Sequence, residues 1–350
     1  MTVFLLIALL ISGCSKEPLY QEQAYVFGTQ VDVSIYGEEE AKARSAVTSV
    51  LREFQRLHDM LHAWKPSELS ELNAAIAQGK EKQVSSELAE MLQDAAQLSA
   101  QSDGLFNPSI GGLIQAWGFQ ADDFKAVLPD EKKVTALVKA KPGMGDLIFN
   151  PSPSIPLPQG AREEIRSRNK TVQLDLGGYA KGYALDRAAA ILREQGIHNA
   201  LINIGGNVLA LGTHGSRAWR VGIQHPRKPG PLATLELHDG EAIGTSGDYQ
   251  RYFELSGKRY CHVIDPRSGY PVQGVQAVTI LTHGIRAGVL SDAASKPLFI
   301  SGAPAWLAAA HKMQLDEALL IDAEGVVHLT AAMQKRLEFT DSKITRKVEP

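Results

Sequence analysis

The stretch Leu174-Asp175-Leu176-Gly177-Gly178-Tyr179-Ala180-Lys181-Gly182 sets glycines, an acid and a lysine between an apolar run and a helical pattern. Glycine lets a backbone approach a ligand closely and permits positive φ without a Cβ clash. The amides of a helix starting just after it favour an anion, most often phosphate. The spacing is neither G-x-G-x-x-G nor G-x-x-x-x-G-K-[ST]. From the residues alone the stretch reads either as a phosphate cradle at a strand-to-helix junction or as a tight turn. Thr245-Ser246-Gly247-Asp248 offers backbone and hydroxyl donors to an anion, or forms an ordinary polar turn. His262, before Val263-Ile264-Asp265-Pro266, is either an acid/base group titrating near neutrality or a structural histidine. Asp292, in Ser291-Asp292-Ala293-Ala294-Ser295-Lys296, reads as a helix cap or as a ligand for a hard divalent cation.

The elements that must hold these residues follow from periodicity. Tyr25 to Tyr36 alternates and reads as a strand entering a hairpin. Glu38 to Leu61 has helical spacing, with Ala46, Val50, Phe54, Leu57 and Leu61 on one face. A short helix opens at Ser67, and Ser85 to Ser102 is a helix that Ser85 caps and Asp103-Gly104 ends. Thr171 to Leu176 reads as a strand and Lys181 to Gln195 as a helix. His198 to Val208 is β-branched and broken at Gly205-Gly206. Trp219 to Ile223 and Ala277 to Leu281 read as strands. Ser291 to Phe299 resembles the first turns of a helix, with Pro297 close inside. The mixture predicts an α+β class, with mixed sheets and flanking helices.

The chain has 350 residues, 44% of them apolar, and a net charge of −3. It is long enough for a large core, and its charge balance argues against a nucleic-acid partner. The opening run Met1 to Ile11 is short for a membrane span and leads into Ser12-Gly13-Cys14. That ending resembles the bacterial lipobox, which implies a signal peptide over 1–13, lipid on Cys14 and a tether over 14–24. No Lys or Arg precedes the apolar run. The expected place is the bacterial cell envelope, lipid-anchored and facing the periplasm or exterior. With Cys14 lipidated, Cys261 has no partner for an internal disulfide.

Taken in order, these elements resemble the ApbE family of FAD:protein FMN transferases, from about Tyr25 to about Gly302. Phe27-Gly28-Thr29 is similar to the family's early Met-Gly-Thr element. Trp64-Lys65-Pro66, with Ser67-Glu68-Leu69-Ser70 and Leu72-Asn73, resembles its S-x-L/I-S-x-L-N element. Gly104-Leu105-Phe106-Asn107-Pro108 through Trp117-Gly118-Phe119 resembles F-[DN]-P…W-G-F. The Asp175 stretch resembles D-x-G-G-x-A-K-G. Asn203-Ile204-Gly205-Gly206-Asn207, Thr245 to Tyr249, and His262 through Gly269 follow in register. The resemblance implies one transferase domain over 25–340, in two lobes; the Pro-, Gly- and Ser-rich stretch near 141–160 reads as a loop or as the connection between them.

It also implies that FAD is cleaved at its pyrophosphate, that FMN passes to a Thr or Ser hydroxyl of an acceptor subunit in a membrane redox complex, and that AMP leaves. FAD hydrolysis and simple FAD binding are the alternatives. By position, Gly28, Trp64, Asn107, Asp175, Gly177, Gly178, Lys181, Thr245, Ser246, Gly247 and Asp248 approach FAD, with Trp64 covering the isoalloxazine ring. His262 accepts the hydroxyl proton. The Ala180 carbonyl and the Asp292 carboxylate hold Mg²⁺, making Asp292 catalytic as well. One position departs: the family has Thr four residues after this Asp, as a metal ligand, and this chain has Lys296. Residues i and i+4 share a helix face, so the ammonium lies beside Asp292 and beside any bound cation. Three outcomes follow: Lys296 swings out and Mg²⁺ remains, the ammonium replaces part of the metal's charge, or activity is weakened and the chain chiefly binds flavin; an altered metal requirement is the expectation.

Overall fold

The computed structural model describes residues 18–120, 125–150 and 162–349. The leader expected over 1–13 and the lipidation site Cys14 lie outside the described residues. Nine strands form one sheet: β1 (Leu19–Val26), β2 (Thr29–Tyr36), β3 (Ala200–Ile204), β4 (Asn207–Leu211), β5 (Glu241–Gly247), β6 (Val275–His283), β7 (Glu317–Asp322), β8 (Val327–Thr330) and β9 (Arg346–Glu349). Their order in space is their order in the chain. All neighbours are antiparallel except β8 and β9, which are parallel. The sheet is thus a meander, and the helices are insertions between its strands.

Between β2 and β3 lie α1 (Glu40–Leu61), α2 (Glu68–Gln78), α3 (Ser86–Gln101), α4 (Gly111–Ala116), α5 (Glu131–Ala140) and α6 (Ala180–Glu194). Between β6 and β7 lie α7 (Ala287–Ala293), α8 (Ser295–Ser301) and α9 (Trp306–Lys312). The predicted apolar face of α1 is buried. Ser67 starts α2 through a capping box with Ser70, and Ser85 caps α3 by accepting from the Leu88 N–H. The helices cover one face of the sheet. The other face is covered by a three-stranded sheet of Trp219–Gln224, Pro231–Leu237 and Glu338–Phe339. Strand alternation divides β6 between the two layers: Val278 and Ile280 join the helical core, Ala277 and Leu281 the second core. A third, smaller cluster gathers Ile110, Leu113, Trp117, Phe119, Val134, Phe253 and Ile264.

Several boundaries differ from the expectations. β1 begins at Leu19 and pairs along its whole length with β2, so any tether ends before residue 24. β9 pairs with β8 beyond residue 340. Leu147–Asn150, inside the expected inter-lobe connection, is a strand against Arg162–Ser167, which in turn pairs with Lys82–Ser85. Residues 151–161 of that connection lie outside the described residues. The strand expected over Thr171 to Leu176 is an extended segment with a single bridge, Ile110 to Gln173. Its backbone is satisfied at Gln173 and Asp175 by the backbone of Pro108, Ser109 and Gly111, and at Leu174 by the Asn73 amide, which both donates to and accepts from it.

The helix expected to start near Ser291 is two helices. Pro297 has no N–H to continue the ladder, and the run breaks at Ala294. Asp292 therefore lies in the last turn of α7 rather than at a helix start.

Candidate active site at a helix crossing

α6 and α7 meet at Gly182 and Gly288. A Cβ on Gly182 would lie 2.3 Å from the Gly288 oxygen, and one on Gly288 would lie 2.3 Å from the Gly182 oxygen. Neither helix caps its own N-terminus with a side chain. Each borrows a carboxylate from the other, which satisfies N–H groups a helix start otherwise leaves open. Asp186 of α6 accepts from Gly288 N at 2.8 Å and Val289 N at 2.9 Å. Asp292 of α7 accepts from Gly182 N at 3.1 Å.

The Asp292 end carries the cations. Its side chain is 1% exposed, with Lys296 on Oδ1 and Lys181 Nζ 3.5 Å from Oδ2. Lys296 Nζ also donates to the Asp292 carbonyl at 2.7 Å. Lys181 Nζ also donates to the Gly177 carbonyl at 3.0 Å. Burial alone would raise the Asp292 carboxyl. The two ammonium groups and the Gly182 N–H outweigh it and hold the group well below the usual carboxylate range. Burial lowers Lys296, and Asp292 only partly offsets that.

The glycine stretch packs against this pair. A Cβ on Gly178 would lie 3.2 Å from Cε of Lys296. Gly177 and Gly178 are not in the left-handed region. Their glycine character answers to close approach, not to positive φ. Asp175 accepts from Gly177 N at 2.8 Å and so shapes the turn, while burial raises its carboxyl. On β5, Gly244 lets α7 lie on the strand: a Cβ there would be 2.1 Å from the Ser291 oxygen. Ser246, on the same face of β5, bonds Ser295 at 2.8 Å, and Ser295 donates to the Asp292 carbonyl. Gly247 closes β5 against the Tyr249 ring.

His262 lies within electrostatic reach of Lys181 and Lys296. Burial pushes its imidazole down to about 3, with the Arg251, Lys181 and Lys296 charges adding to the effect. Its Nδ1 lies 3.2 Å from the Arg251 carbonyl. A carbonyl only accepts, so Nδ1 carries the proton and Nε2 keeps a free lone pair. Arg251 is not among the residues expected from the sequence. Its only signal there is a cation shortly after Gly247-Asp248.

The remaining expected residues make the following contacts. Thr245 points to the opposite face of β5 and bonds Thr279 at 2.8 Å, because successive strand residues alternate. The Asn107 amide is spent on Pro142 O and Ser109 N, which holds its own loop. Both Asp248 oxygens are taken by Arg227, at 2.7 and 2.6 Å. Gly28 forms the β1–β2 turn beside Phe27, both with positive φ, and Thr29 packs on Gly205 of the β3–β4 turn. Trp64 is half-buried and has no ring partner among the described residues; its backbone N–H donates to His62 Nδ1. A surface hollow lined by Arg193, His198, Asn199, Gly212 and Asp239 lies at the far end of α6 from this cluster.

The donor set fits a divalent ion poorly. Ala180 opens α6, so its carbonyl enters the helical ladder. Among the described residues no group of three or more His, Cys, Asp or Glu side chains gathers to hold a metal ion, and both Asp292 oxygens already meet cations or an N–H. Mg²⁺ requires close oxygen ligands in octahedral array. Two unit charges 4 Å apart near a protein surface interact by about 4 kcal/mol, and a dication beside an ammonium doubles that repulsion.

Cys261 is buried and its thiol is pushed up to about 12 by burial, which leaves it inert near neutrality. Among the described residues no helix is long and apolar enough to cross a membrane.

The ApbE family profile matches residues 27–320. The chain is 41% identical to an FAD:protein FMN transferase of Rhodobacter capsulatus over 92% of its own length. It spans 59% of that relative's length. It is 30% identical to an FAD:protein FMN transferase of Klebsiella pneumoniae, over 75% of this chain and 76% of that one. The crystal structure of an ApbE protein from Thermotoga maritima superposes with a TM-score of 0.79 at 26% identity, covering 91% of this chain and 99% of that one. A profile match over most of the chain, together with this likeness in sequence and fold, places the chain in the ApbE family.

Proposed function

We propose that this chain binds FAD at the cationic end of the α6–α7 crossing and transfers FMN to a Thr or Ser hydroxyl of another protein. The observation that carries the reading is the pairing of Lys181 and Lys296 with Asp292 beside the Gly177-Gly178 turn, with neutral His262 within electrostatic reach of both lysines. The ammonium groups and the α6 N-terminus attract the pyrophosphate. His262 Nε2 takes the proton of the acceptor hydroxyl. The hydroxyl oxygen attacks the phosphorus on the riboflavin side, the bond to the AMP phosphate breaks, and AMP departs with that bond's electron pair. Charge neutralisation falls to Lys181 and Lys296, because the Mg²⁺ expected from the resemblance would meet two ammonium groups at Asp292. Trp64 offers its indole to the isoalloxazine ring. Cys14 supplies the lipid anchor in this reading, and the acceptor is a subunit of a membrane redox complex at the bacterial envelope.

The test is incubation of the chain with FAD and a threonine-bearing acceptor, followed by denaturing electrophoresis and nucleotide analysis. Covalent flavin fluorescence on the acceptor with stoichiometric AMP is the expected outcome, and His262→Asn abolishes both. FMN and AMP without labelling would replace the reading with FAD hydrolysis. Bound FAD with neither product would leave a binding protein.

A further inference from the structure

We infer that Lys296 is a phosphate-binding cation built into the chain, and that FAD binding and turnover here require no divalent metal ion. The inference rests on the proposed FAD site and deepens it. Three observations carry it. First, Lys296 is anchored rather than free. It donates to the Asp292 carbonyl at 2.7 Å and to Oδ1 of the same residue, one helical turn back. Its stem lies across Gly178, where any Cβ would come within 3.2 Å of Cε. An ammonium held at both ends of its stem loses little further freedom when an anion arrives.

Second, the anchoring leaves donor capacity. An ammonium has three N–H groups, and the Asp292 contacts use two. Lys181 is in the same position, with one contact to the Gly177 carbonyl and one to Oδ2 of Asp292. Two fixed ammonium groups, each with an unspent donor, border the glycine turn and the first turn of α6. Lys296 remains 18% exposed and Lys181 25%, so an anion reaches both.

Third, the charge count already suits a polyanion. Lys181, Lys296 and Arg251 face two buried carboxyls, Asp292 and Asp175, and burial raises Asp175 toward its neutral form, so the crossing's cationic end keeps a surplus positive charge. A metal ion would have to displace one ammonium from Asp292 and then sit against it. The carboxylate serves as the anchor of the lysines, and the lysines serve the phosphates.

The experiment uses the full chain, with FAD binding read by quenching of flavin fluorescence and metal binding read by Mn²⁺ electron paramagnetic resonance. Wild type is expected to bind FAD equally well in EDTA and in excess Mg²⁺, and to leave the Mn²⁺ spectrum that of the free ion when FAD is present. Lys296→Thr is expected to weaken FAD binding in EDTA by about tenfold or more, and to regain it with Mn²⁺, which then becomes bound. Lys296→Met, of similar length and no charge, is expected to lose affinity in EDTA likewise, with an unchanged circular dichroism spectrum. Stoichiometric Mn²⁺ binding by wild type with FAD, together with loss of FAD affinity in EDTA, would overturn the inference while leaving the transferase reading intact. Absence of FAD binding by wild type under both conditions would overturn the transferase reading itself.

Discussion

The two ends of the α6–α7 crossing use one device for two purposes. At one end Asp186 closes the first turn of α7, and at the other Asp292 closes the first turn of α6. Asp186 makes no ion pair among the described residues. Burial pushes its carboxyl up to about 6, with Gly288, Val289 and Arg286 only moderating the rise. Asp292 is the more deeply buried, yet two lysines keep it ionised. A carboxylate over a helix N-terminus is thus a fastener by default. It becomes part of an anion site when the chain supplies more cation than the carboxylate consumes.

The comparison breaks most completely if the crossing itself is disposable. Gly182→Ala forces a methyl into the Gly288 carbonyl and is expected to cost about 3 kcal/mol by overpacking, with FAD binding lost as well. Chemical denaturation measures the first effect, and an unchanged midpoint would mean the contact is not tight. Next in size, Asp292→Asn releases the lysines and is expected to slow FMN transfer by about a hundredfold, the scale of losing one electrostatic element. Asp186→Asn keeps an acceptor oxygen, and its transfer rate is expected to stay within about twofold per folded molecule. Equal losses in the two variants would erase the distinction between the ends.

Acidity sharpens the contrast. The folded Asp186 carboxyl titrates at about 6, above the ordinary 3.8. The native chain therefore binds more protons than the unfolded chain between those values. The stability this confers is complete below the ordinary value and lost as pH rises through about 6. Relative to Asp186→Asn, wild type is expected to lose about 2–3 kcal/mol across that window. Asp292 runs the other way: its contribution is present above the ordinary carboxylate value and fades only in strong acid. A wild-type minus Asp186→Asn difference that is flat with pH would contradict the assignment. Smallest is Tyr179→Phe, which removes a 2.8 Å hydrogen bond to Asp94 near the fastener end. The expected cost is about 1 kcal/mol, with FAD affinity unchanged.

Much of this arrangement is legible in the amino-acid sequence. The periodicity of α1, α3 and α6 lies within one segment, and so do their apolar faces. The Lys296 contact with Asp292 is the one i, i+4 spacing suggests, and it holds although the helix breaks at Ala294 between them. What the sequence hides depends on distant partners. α7 has no cap of its own; its cap, Asp186, lies about a hundred residues earlier, so no local signal marks where it begins. Thr245 and Ser246 are neighbours in a motif but occupy opposite faces of β5. Asn107 and Asp248 sit in the right segments, but Pro142 and Arg227 claim their side chains. Glycines 177, 178 and 182 stand out in the sequence, although what they allow is contact with Asp175, Lys296 and Gly288.

The most direct test of the central claim is a crystal structure of the chain with FAD, grown in EDTA. The account predicts the pyrophosphate at the Asp292 end, with phosphate oxygens about 3 Å from Nζ of Lys181 and Lys296, and no density for a metal ion. A pyrophosphate bound away from both lysines, or one that appears only when a divalent cation is restored, would contradict it.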